Sequence, residues 1–482
     1  MLDMRPIGYV IGLLSAVLGA TMFLPAMVDF AYDNDHWSAF VESAIITCTF
    51  GGLLALSCAN GVGSRLTLQQ TFLLATGVWV VLPLFGALPF LFGATEARGV
   101  DAIFEAISGL TTTGATVFAG LEHLPPGLLF WRSMLQWFGG IGIIVVAMVF
   151  LPELRVGGMQ LFRSEAFDTG GKVLPRATQI AARIGIAYVI LTIMCIIAYV
   201  MVGMTGFEAV NHALTTISTG GFSTSDASFG VYQGSPEYVA SVFMVLASLP
   251  FVRYVQIMAG STRPFLRDSQ VRAFLWVVFT LVLVILAYRV IANGDHAEHA
   301  FREALFNVTS IITGTGYASV DYQLWGAFPI VLFFFIGLIG GCAGSTCCSV
   351  KIFRYQLLIA AVSAQIRRIH SPNGVFTPRY EGRAVTDELL SSVMAFFGVF
   401  ILSLGVISVA LGMTGLDFVT SVSGAATAIA NIGPGLGEII GPAGNFAALN
   451  DPAKWILSVA MLFGRLELMV VLVIFLPRFW RL

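Results

Sequence analysis

Residues 109–116 read GLTTTGAT, and short stretches of similar character recur about every hundred residues along the chain. Each lies between two long apolar segments and follows about a dozen moderately apolar residues. A helix that crosses a bilayer needs about 20 residues, so each dozen predicts a short helix that enters the membrane and returns. The four stretches that we align are Thr112-Thr113-Gly114, Ser218-Thr219-Gly220, Ile312-Thr313-Gly314 and Asn431-Ile432-Gly433.

The composition is that of an integral membrane protein. Of 482 residues, 57% are hydrophobic and only 11% are charged, which is far from the balance of a soluble protein. The longest polar stretches, near 152–178 and 364–388, are too short to build a core of their own. We therefore predict no soluble domain. No targeting segment is evident, so the first apolar run is predicted to be retained as a membrane span.

The apolar segments predict an all-α membrane protein with ten transmembrane helices. Two spans come first, outside the repeat. Four units follow, each made of a span, a re-entrant helix, a glycine-bearing loop and a second span. The third unit also carries a predicted glycine-rich break in its second span. The predicted boundaries are 1–66 for the two-helix prefix and 67–160, 161–266, 267–375 and 376–482 for the four units.

Positive charge is distributed unevenly between the predicted loops. Most of the 25 Lys and Arg residues fall in the links between units, in the link after the prefix or at the chain ends, whereas the alternate loops are acidic. Lys and Arg collect on the cytoplasmic side of membrane proteins, so both termini are predicted to be cytoplasmic. The opposite, acidic mouth would concentrate cations.

The four glycine stretches predict an ion filter. Backbone at membrane depth must be buried or line a water-filled path, and a cation filter requires a ring of carbonyls about an axis. Glycine permits the conformations that turn successive carbonyls to one axis. Thr113, Thr219 and Thr313 could add hydroxyl ligands, whereas Ile432 cannot. The carboxyl ends of the short helices would direct partial negative charge at the ion, which favours a cation over an anion. The predicted short helices are 101–111, 206–217, 300–311 and 417–430.

Glycines also interrupt an apolar run, from Phe328 to Val362, that is otherwise the second span of the third unit. They predict a break or bend at mid-membrane, although small residues for close helix contact would give the same pattern. Arg465 lies in the last span, about a dozen residues from its cytoplasmic end, and is too deep to reach the interface. It is expected to face the interior or a water path, with an ion pair to another span as the alternative.

The four stretches, together with GGCAGST at residues 340–346 and GRLE at 464–467, resemble the TrkH potassium-uptake subunits of bacteria over nearly the whole chain. The two-span prefix also fits that family and is absent from the related KtrB proteins. The resemblance implies uptake of potassium across the bacterial inner membrane through four membrane-pore-membrane units. It also implies a homodimer and a cytoplasmic regulatory partner, TrkA, that binds NAD or ATP.

By this resemblance the four aligned stretches form the potassium selectivity filter. In the wider superfamily, which includes the plant HKT proteins, glycine in the first unit goes with potassium and serine with sodium, so Gly114 favours potassium. The loop in the third unit obstructs the cytoplasmic half of the pore in the family, and Arg465 lies near it under the filter. Cys347-Cys348-Ser349 departs from the run of glycines in the relatives. The implied gate residues are Gly340, Gly341, Gly344, Ser345, Thr346, Lys351 and Arg465.

Other classes of function fit these residues less well. A secondary transporter with paired repeats would have two broken halves rather than four loops, and a primary pump would need a phosphate-binding loop that the sequence lacks. An intramembrane enzyme would need a catalytic constellation within the spans; the sequence offers none, so the chain is predicted not to be an enzyme. Nucleic-acid binding is not supported, because no basic surface stands clear of the membrane.

Potassium, as the transported ion, is the only small ligand expected, with no organic cofactor. The six cysteines predict inert buried thiols, since no zinc-ligand spacing with histidine occurs. Ions could pass as through a channel or be coupled to sodium or protons in a symporter of the same fold. The sequence leaves both open, because rings of carbonyls look alike in the two cases.

Overall fold

Helices make up nearly all the regular structure of the protein. The structure is a computed structural model that describes residues 2–61, 66–95, 97–149, 158 and 173–481. One short antiparallel hairpin pairs strand Arg379–Tyr380 with strand Arg383–Ala384. The predicted boundary at residues 160 and 161, and most of the basic link around it, lie outside the described residues.

Long helices open and close each predicted unit. The prefix consists of Arg5–Thr21, Phe23–Ala31 and Trp37–Cys58. The helices that open the four units are Leu68–Gly86, Val173–Met201, Ser269–Tyr288 and Asp387–Met413. The helices that close them are Pro126–Val149, Ser235–Ala247 with Phe251–Met258, Ala327–Gly337 with Ile352–His370, and Asp451–Arg465 with Leu468–Ile474.

The number of spans can be compared with the prediction of ten. Among the described residues, seven helices are long and apolar enough to cross a membrane, and nine if each of two sharply bent pairs counts as one span. The tenth predicted span would consist of the shorter apolar helix Ala327–Gly337, a loop, and the helix Ile352–His370. The protein is therefore a multi-pass membrane protein built from helices.

Small residues let the two prefix spans pack closely. A Cβ on Gly12 would lie 2.7 Å from the carbonyl oxygen of Gly51, and a Cβ on Gly51 would lie 2.6 Å from that of Gly12. Within a bilayer, helices associate through close van der Waals packing, which small residues permit. The first prefix helix also packs on Leu68–Gly86, and this contact attaches the prefix to the first unit.

Four short helices lie between the opening and closing helices. They have 12, 12, 17 and 13 residues. At about 1.5 Å per residue, none is long enough for a hydrocarbon core about 30 Å thick. Thr205 and Asp417 cap the second and the fourth by accepting hydrogen bonds from the amides of Glu208 and Thr420. The short helices are Gly99–Leu110, Gly206–Ile217, Ala297–Thr313 and Phe418–Ala430.

Three of the four closing helices are interrupted, and the interruptions meet. The second bends by 89° between Ala247 and Phe251, and the fourth bends by 106° after Arg465. The third is broken by residues 338–351, which we call the gate loop. The amide of Cys342 in this loop donates to the carbonyl of Ser248 in the second break (3.0 Å). The predicted break in the apolar run of the third unit is therefore present.

The last span differs from the sequence prediction, which placed Arg465 in the interior of one continuous helix. In the structure the helix ends at Arg465 and a new one begins at Leu468. Glu467, at the break, has a positive φ of 61° and pairs with two basic residues of neighbouring segments. These tertiary contacts override the helical pattern of the apolar sequence, which by itself gives no sign of an ending.

Candidate functional site

The backbone leaves each of the four short helices in the same way. In every case an amide just beyond the helix donates to the carbonyl five residues earlier, over 2.8 to 3.1 Å. The four amides therefore mark equivalent positions, although the side chains there differ. The donor and acceptor pairs are Thr113 and Ser108, Gly220 and Thr215, Thr315 and Ser310, and Ile432 and Thr427.

Positive φ angles flank each of these equivalent amides. The residue before it has φ between 52° and 73°, and the residue after it is always glycine, with φ between 78° and 107°. Alternation of ordinary and left-handed conformations turns successive carbonyls to one side of the strand, and glycine adopts the left-handed region at least cost. The residues before the amide are Thr112, Thr219, Gly314 and Asn431, and the glycines after it are Gly114, Gly221, Gly316 and Gly433.

The last four glycines form a closed ring, and we call them the ring glycines. A Cβ added to any of them would lie within 3.0 Å of the carbonyl oxygen of the equivalent residue in the next stretch. The contacts run from the first stretch to the second, third and fourth and back to the first. The glycine and carbonyl partners are Gly114 and Gly220, Gly221 and Thr315, Gly316 and Ile432, and Gly433 and Thr113. The ring therefore has no room for a side chain at any of the four glycines.

The register of this ring differs from the sequence alignment in two of the four stretches. The alignment is one residue early in the second stretch, where the ring glycine is Gly221 instead of Gly220. It is two residues early in the third, where the ring glycine is Gly316 instead of Gly314. Ile312 and Thr313 are the last residues of the third short helix, and Ser218 directly follows the second. The first and fourth stretches lie in the ring as aligned.

The cause of the shift is that both of these stretches contain a second glycine beyond the aligned one, Gly221 after Gly220 and Gly316 after Gly314. The register is set by the turn that ends each helix. In three stretches the first residue with a positive φ after this turn is not glycine. In the third stretch both left-handed positions are glycine, at 314 and 316. The sequence signal that was missed is this second glycine, which lies beside Tyr317, as Gly221 lies beside Phe222.

Only two of the four equivalent positions in the ring carry a side-chain hydroxyl. The residues at the equivalent position are threonine in the first and third stretches, glycine in the second and isoleucine in the fourth. Thr113 Oγ1 lies 2.8 Å from Thr111 Oγ1 and also accepts a hydrogen bond from Asn431 Nδ2 (2.8 Å). Thr315 Oγ1 lies 2.8 Å from Thr313 Oγ1. Of the three threonines expected to supply hydroxyls, Thr113 occupies the equivalent position, whereas Thr219 and Thr313 do not, and Thr315 takes that place in the third stretch.

A cavity of about 200 Å³ opens above the ring, and all four ring glycines line it. The loops around it are tied across the first and second units. Glu122 accepts hydrogen bonds from Ser225 Oγ (2.5 Å) and from the amide of Asp226 (3.0 Å). Asp226 in turn accepts from the amides of Gly120 (2.6 Å) and Leu121 (3.1 Å). The hydrogen bond from Ser225 lowers the pKa of Glu122, so this carboxylate stays charged at neutral pH.

The gate loop is buried against its neighbours. Thr346 bonds the carbonyl of Ala247 through both its amide and its hydroxyl. Ser349 Oγ donates to the carbonyl of Ala430 (3.2 Å), the last residue of the fourth short helix. This hydrogen bond places the loop directly beside the end of a helix that leads into the ring. Positive φ angles within the loop occur at Gly340, Gly344, Ser349 and Lys351.

Arg465 holds the gate loop from the last closing helix. Its Nη1 donates to the carbonyl of Thr346 (3.1 Å) and to Cys348 Sγ (2.7 Å), and its Nη2 donates to the carbonyl of Gly139 (3.0 Å). The side chain is 1% exposed. This burial agrees with the expected interior position. Among the described residues no carboxylate pairs with Arg465, and its guanidinium places a positive charge beside the loop.

Glu467 is the partner that the sequence reasoning missed. It accepts from Lys351 Nζ (2.9 Å) and from Arg354 Nη2 (2.6 Å), and all three side chains are at most 6% exposed. The two-residue spacing correctly predicted that Glu467 does not pair with Arg465. Partners on a distant segment, however, cannot be predicted from spacing along one helix. An acidic residue in an apolar span, with two basic residues just after a glycine-rich break, is the signal that points to it.

The structure therefore brings all the predicted gate residues together. Gly340, Gly341, Gly344, Ser345 and Thr346 lie in the gate loop, Lys351 ends it, and Arg465 bonds to it. No group of three or more metal-ligating His, Cys, Asp or Glu residues occurs in the described ranges. The ring itself presents backbone carbonyls and threonine hydroxyls, which suit hard cations.

Comparisons with known proteins agree with this geometry. The chain matches the TrkH family, described as cation transport protein, over residues 36–482. The Trk system potassium uptake protein TrkI of Halomonas elongata is 42% identical over 478 residues, which cover 99% of this chain and 97% of the relative. The Trk system potassium uptake protein TrkH of Salmonella typhimurium is 38% identical over 99% of both chains.

Among solved structures, the crystal structure of the potassium transporter TrkH from Vibrio parahaemolyticus has a TM-score of 0.91 to this chain. The two share 34% sequence identity, and the match covers 100% of each chain. Sequence and fold thus give the same assignment over the full length. The chain belongs to the TrkH family of cation transport proteins.

Proposed function

We propose that this chain takes up potassium ions through the ring, which acts as a selectivity filter. The observation that carries the proposal is the closed set of contacts in which each ring glycine abuts the carbonyl of the next stretch. Four carbonyls about one axis can replace the hydration shell of a monovalent cation. The four short helices end at the ring, so the partial negative charge at their carboxyl ends adds to the attraction.

The choice of potassium rests on the relatives and on Gly114. The relatives at 42% and 38% identity are named potassium uptake proteins, and the solved structure is named a potassium transporter. Glycine at position 114, rather than serine, is the residue that goes with potassium in the wider superfamily. The ligand geometry by itself supports a monovalent cation. The family and these relatives are named transport or uptake proteins, which supports a transporter rather than an enzyme.

The proposed arrangement has ten spans in the bacterial inner membrane, with both termini cytoplasmic. Two spans form the prefix, 1–66. The membrane-pore-membrane units extend over 67–160, 161–266, 267–375 and 376–482. The charge asymmetry of the loops supports this orientation, because the basic links lie on one side and the acidic loops, including the one that carries Glu122, lie on the other.

Flux through this path is proposed to be limited by the gate loop. The loop is held by the carbonyls of the second break, by Arg465 and by the pairing of Lys351 with Glu467. A cation that leaves the ring toward the cytoplasm would meet this loop and the buried guanidinium of Arg465. Movement of the loop would remove the obstruction without altering the ring.

The decisive experiment is a measurement of reversal potential in liposomes that contain the purified protein. Opposing gradients of potassium and sodium would be applied at fixed pH and then at different pH. A reversal potential that follows potassium alone supports a potassium-selective channel. A reversal potential that also shifts with the sodium or proton gradient supports the alternative, a coupled symporter of the same fold. A reversal potential that ignores potassium contradicts the proposal.

We expect the protein to work as a homodimer with a cytoplasmic TrkA-like regulatory subunit that binds NAD or ATP. Arg367, Arg368, Arg379 and Arg383 are exposed on the helix and hairpin that follow the gate loop, which makes this segment the proposed contact. Replacing all four by glutamine should reduce co-purification of a TrkA-like protein severalfold, because surface charge steers and registers such contacts. Neutralising Arg263, Arg267 and Arg272, which are exposed in another link, is the control. Equal co-purification in both variants would place the contact elsewhere.

A further inference from the structure

Among the described residues, one side chain donates a hydrogen bond to a ring carbonyl, and it lies on the closing helix of the first unit. Gln136 Nε2 donates to the carbonyl oxygen of Gly220 (2.7 Å), and its Oε1 accepts from the amide of Phe222 (3.0 Å). The glutamine is fully buried. We call the backbone segment that runs through each ring glycine a filter strand. The side-chain amide of Gln136 bonds the second filter strand on both sides of its ring glycine, Gly221.

The same contact explains why residue 220 is glycine. Gly220 does not have a positive φ, so its conformation is open to any residue. A Cβ at this position would instead lie within 3.0 Å of the side-chain amide of Gln136. At Gly221 the obstacle is different, because the Cβ would meet the backbone carbonyl of Thr315. Two adjacent glycines thus serve two separate requirements.

A second residue of the same helix face supports the same strand. Arg132, one turn before Gln136, donates Nη1 to the carbonyl of Ser223 (2.9 Å) and lies over the ring of Phe222. Its charge is paired with Glu105 (2.8 Å), which also anchors the first filter strand through the amide of Val117. Residues four apart on a helix share a face, so Arg132 and Gln136 act on the strand together.

The other ring carbonyls are not held in this way. Within the described ranges, the carbonyl oxygens of Thr113, Thr315 and Ile432 accept no hydrogen bond. A carbonyl that receives an N–H has one lone pair engaged and is fixed in direction, while the other three are free to follow the ion. The ring is therefore asymmetric in its ligands as well as in its side chains.

Resting on the proposed function of the ring as a potassium filter, we propose that Gln136 is a specificity-determining positioning residue. It keeps the Gly220 carbonyl at a fixed distance from the axis and so prevents the ring from contracting around a smaller ion. Sodium, which needs shorter contacts than potassium, is disfavoured by a ring that one glutamine holds open.

Replacing Gln136 by leucine keeps the volume and removes both hydrogen bonds. The freed Gly220 carbonyl can then move inward, and we expect the potassium-to-sodium permeability ratio to fall. The expected decrease is about 2- to 12-fold, the range for losing the one hydrogen bond that holds this carbonyl. The ratio is measured from reversal potentials in liposomes and does not depend on how much protein is reconstituted. Ser133→Ala is the matched control, because Ser133 lies on the same helix, is buried and bonds to Asn211 instead of the filter strand.

A pair of double variants tests the contact itself. Gly220→Ala should abolish uptake, and adding Gln136→Ala should restore part of it, because the side chain that blocks the new Cβ has gone. Gly221→Ala should also abolish uptake, and Gln136→Ala should not restore it, because there the obstacle is backbone. Rescue at 220 without rescue at 221 is the expected result.

The outcomes separate this inference from the proposed function. If Gly221→Ala conducts like the parent, the ring is not the filter and the proposed function fails. If Gly221→Ala is inactive but Gln136→Leu keeps the parental permeability ratio, the filter stands and the role of Gln136 is overturned. If Gln136→Ala rescues both glycine variants or neither, the contact between Gln136 and residue 220 does not limit the filter.

Discussion

Potassium uptake is expected to fall about a hundredfold when Gly316 is replaced by asparagine. Gly316 has a φ of 79°, and its Cβ would press on the carbonyl of Ile432. Overpacking against backbone and a strained left-handed residue together cost about 3 kcal/mol, and each 1.4 kcal/mol is about tenfold. Uptake into a strain that lacks its own potassium transporters measures the effect, with the amount of protein in the membrane determined in parallel.

Gly314→Asn is the matched control, two residues away in the same stretch. Position 314 is also left-handed, but the equivalent positions hold Thr112, Thr219 and Asn431, so asparagine is compatible with the backbone there. A Cβ would be 3.3 Å from the nearest atom, a tight contact that a small shift relieves. We expect uptake within about threefold of the parent, near the lower end of the cost of one hydrogen bond. Loss at 314 with normal uptake at 316 would restore the register of the sequence alignment and contradict the ring.

Replacing Arg465 by alanine is expected to raise potassium flux at least about tenfold. Arg465 donates three hydrogen bonds that join the gate loop and the closing helix of the first unit. A hydrogen bond to a charged group is worth about 1.5–3 kcal/mol, so its loss is enough to favour an open loop. The variant also lacks a positive charge beside the path of a cation. Flux into liposomes would be compared at equal amounts of folded protein.

Two further variants test the same prediction. Arg465→Lys keeps the charge but cannot make three directed hydrogen bonds, so a rise in flux in this variant too would assign the effect to the loop contacts rather than to the charge. Deletion of residues 341–346 should raise flux without altering ion preference, because the ring is unchanged. If neither Arg465→Ala nor the folded deletion conducts faster than the parent, the glycines at 340, 341 and 344 serve helix packing and the gate is withdrawn.

The local elements of the fold were predictable because each has a strong local cause. The second short helix, predicted at 206–217, has those bounds in the structure, and the fourth, predicted at 417–430, begins one residue later. The length and apolar composition of each short helix, and the glycine that follows it, can all be recognised in the sequence. The break in the third unit was predictable for the same reason, since four glycines within a short apolar run weaken a helix wherever it lies.

The features that the sequence did not reveal depend on contacts between distant segments. The bend after Arg465 arises where Glu467 meets Lys351 and Arg354, more than a hundred residues away. The register of the second and third stretches depends on where each helix ends and on the neighbouring carbonyl. Gln136 lies in an ordinary apolar helix, and only its position against Gly220 distinguishes it.

The closed ring is built from four unlike segments of a single polypeptide. In an assembly of identical subunits, one codon change would alter every quarter of such a ring at once. Here a change at Ile432 or Thr315 alters one quarter and leaves the remaining three as they were. Under the proposed function, single substitutions can therefore adjust ion preference in small steps.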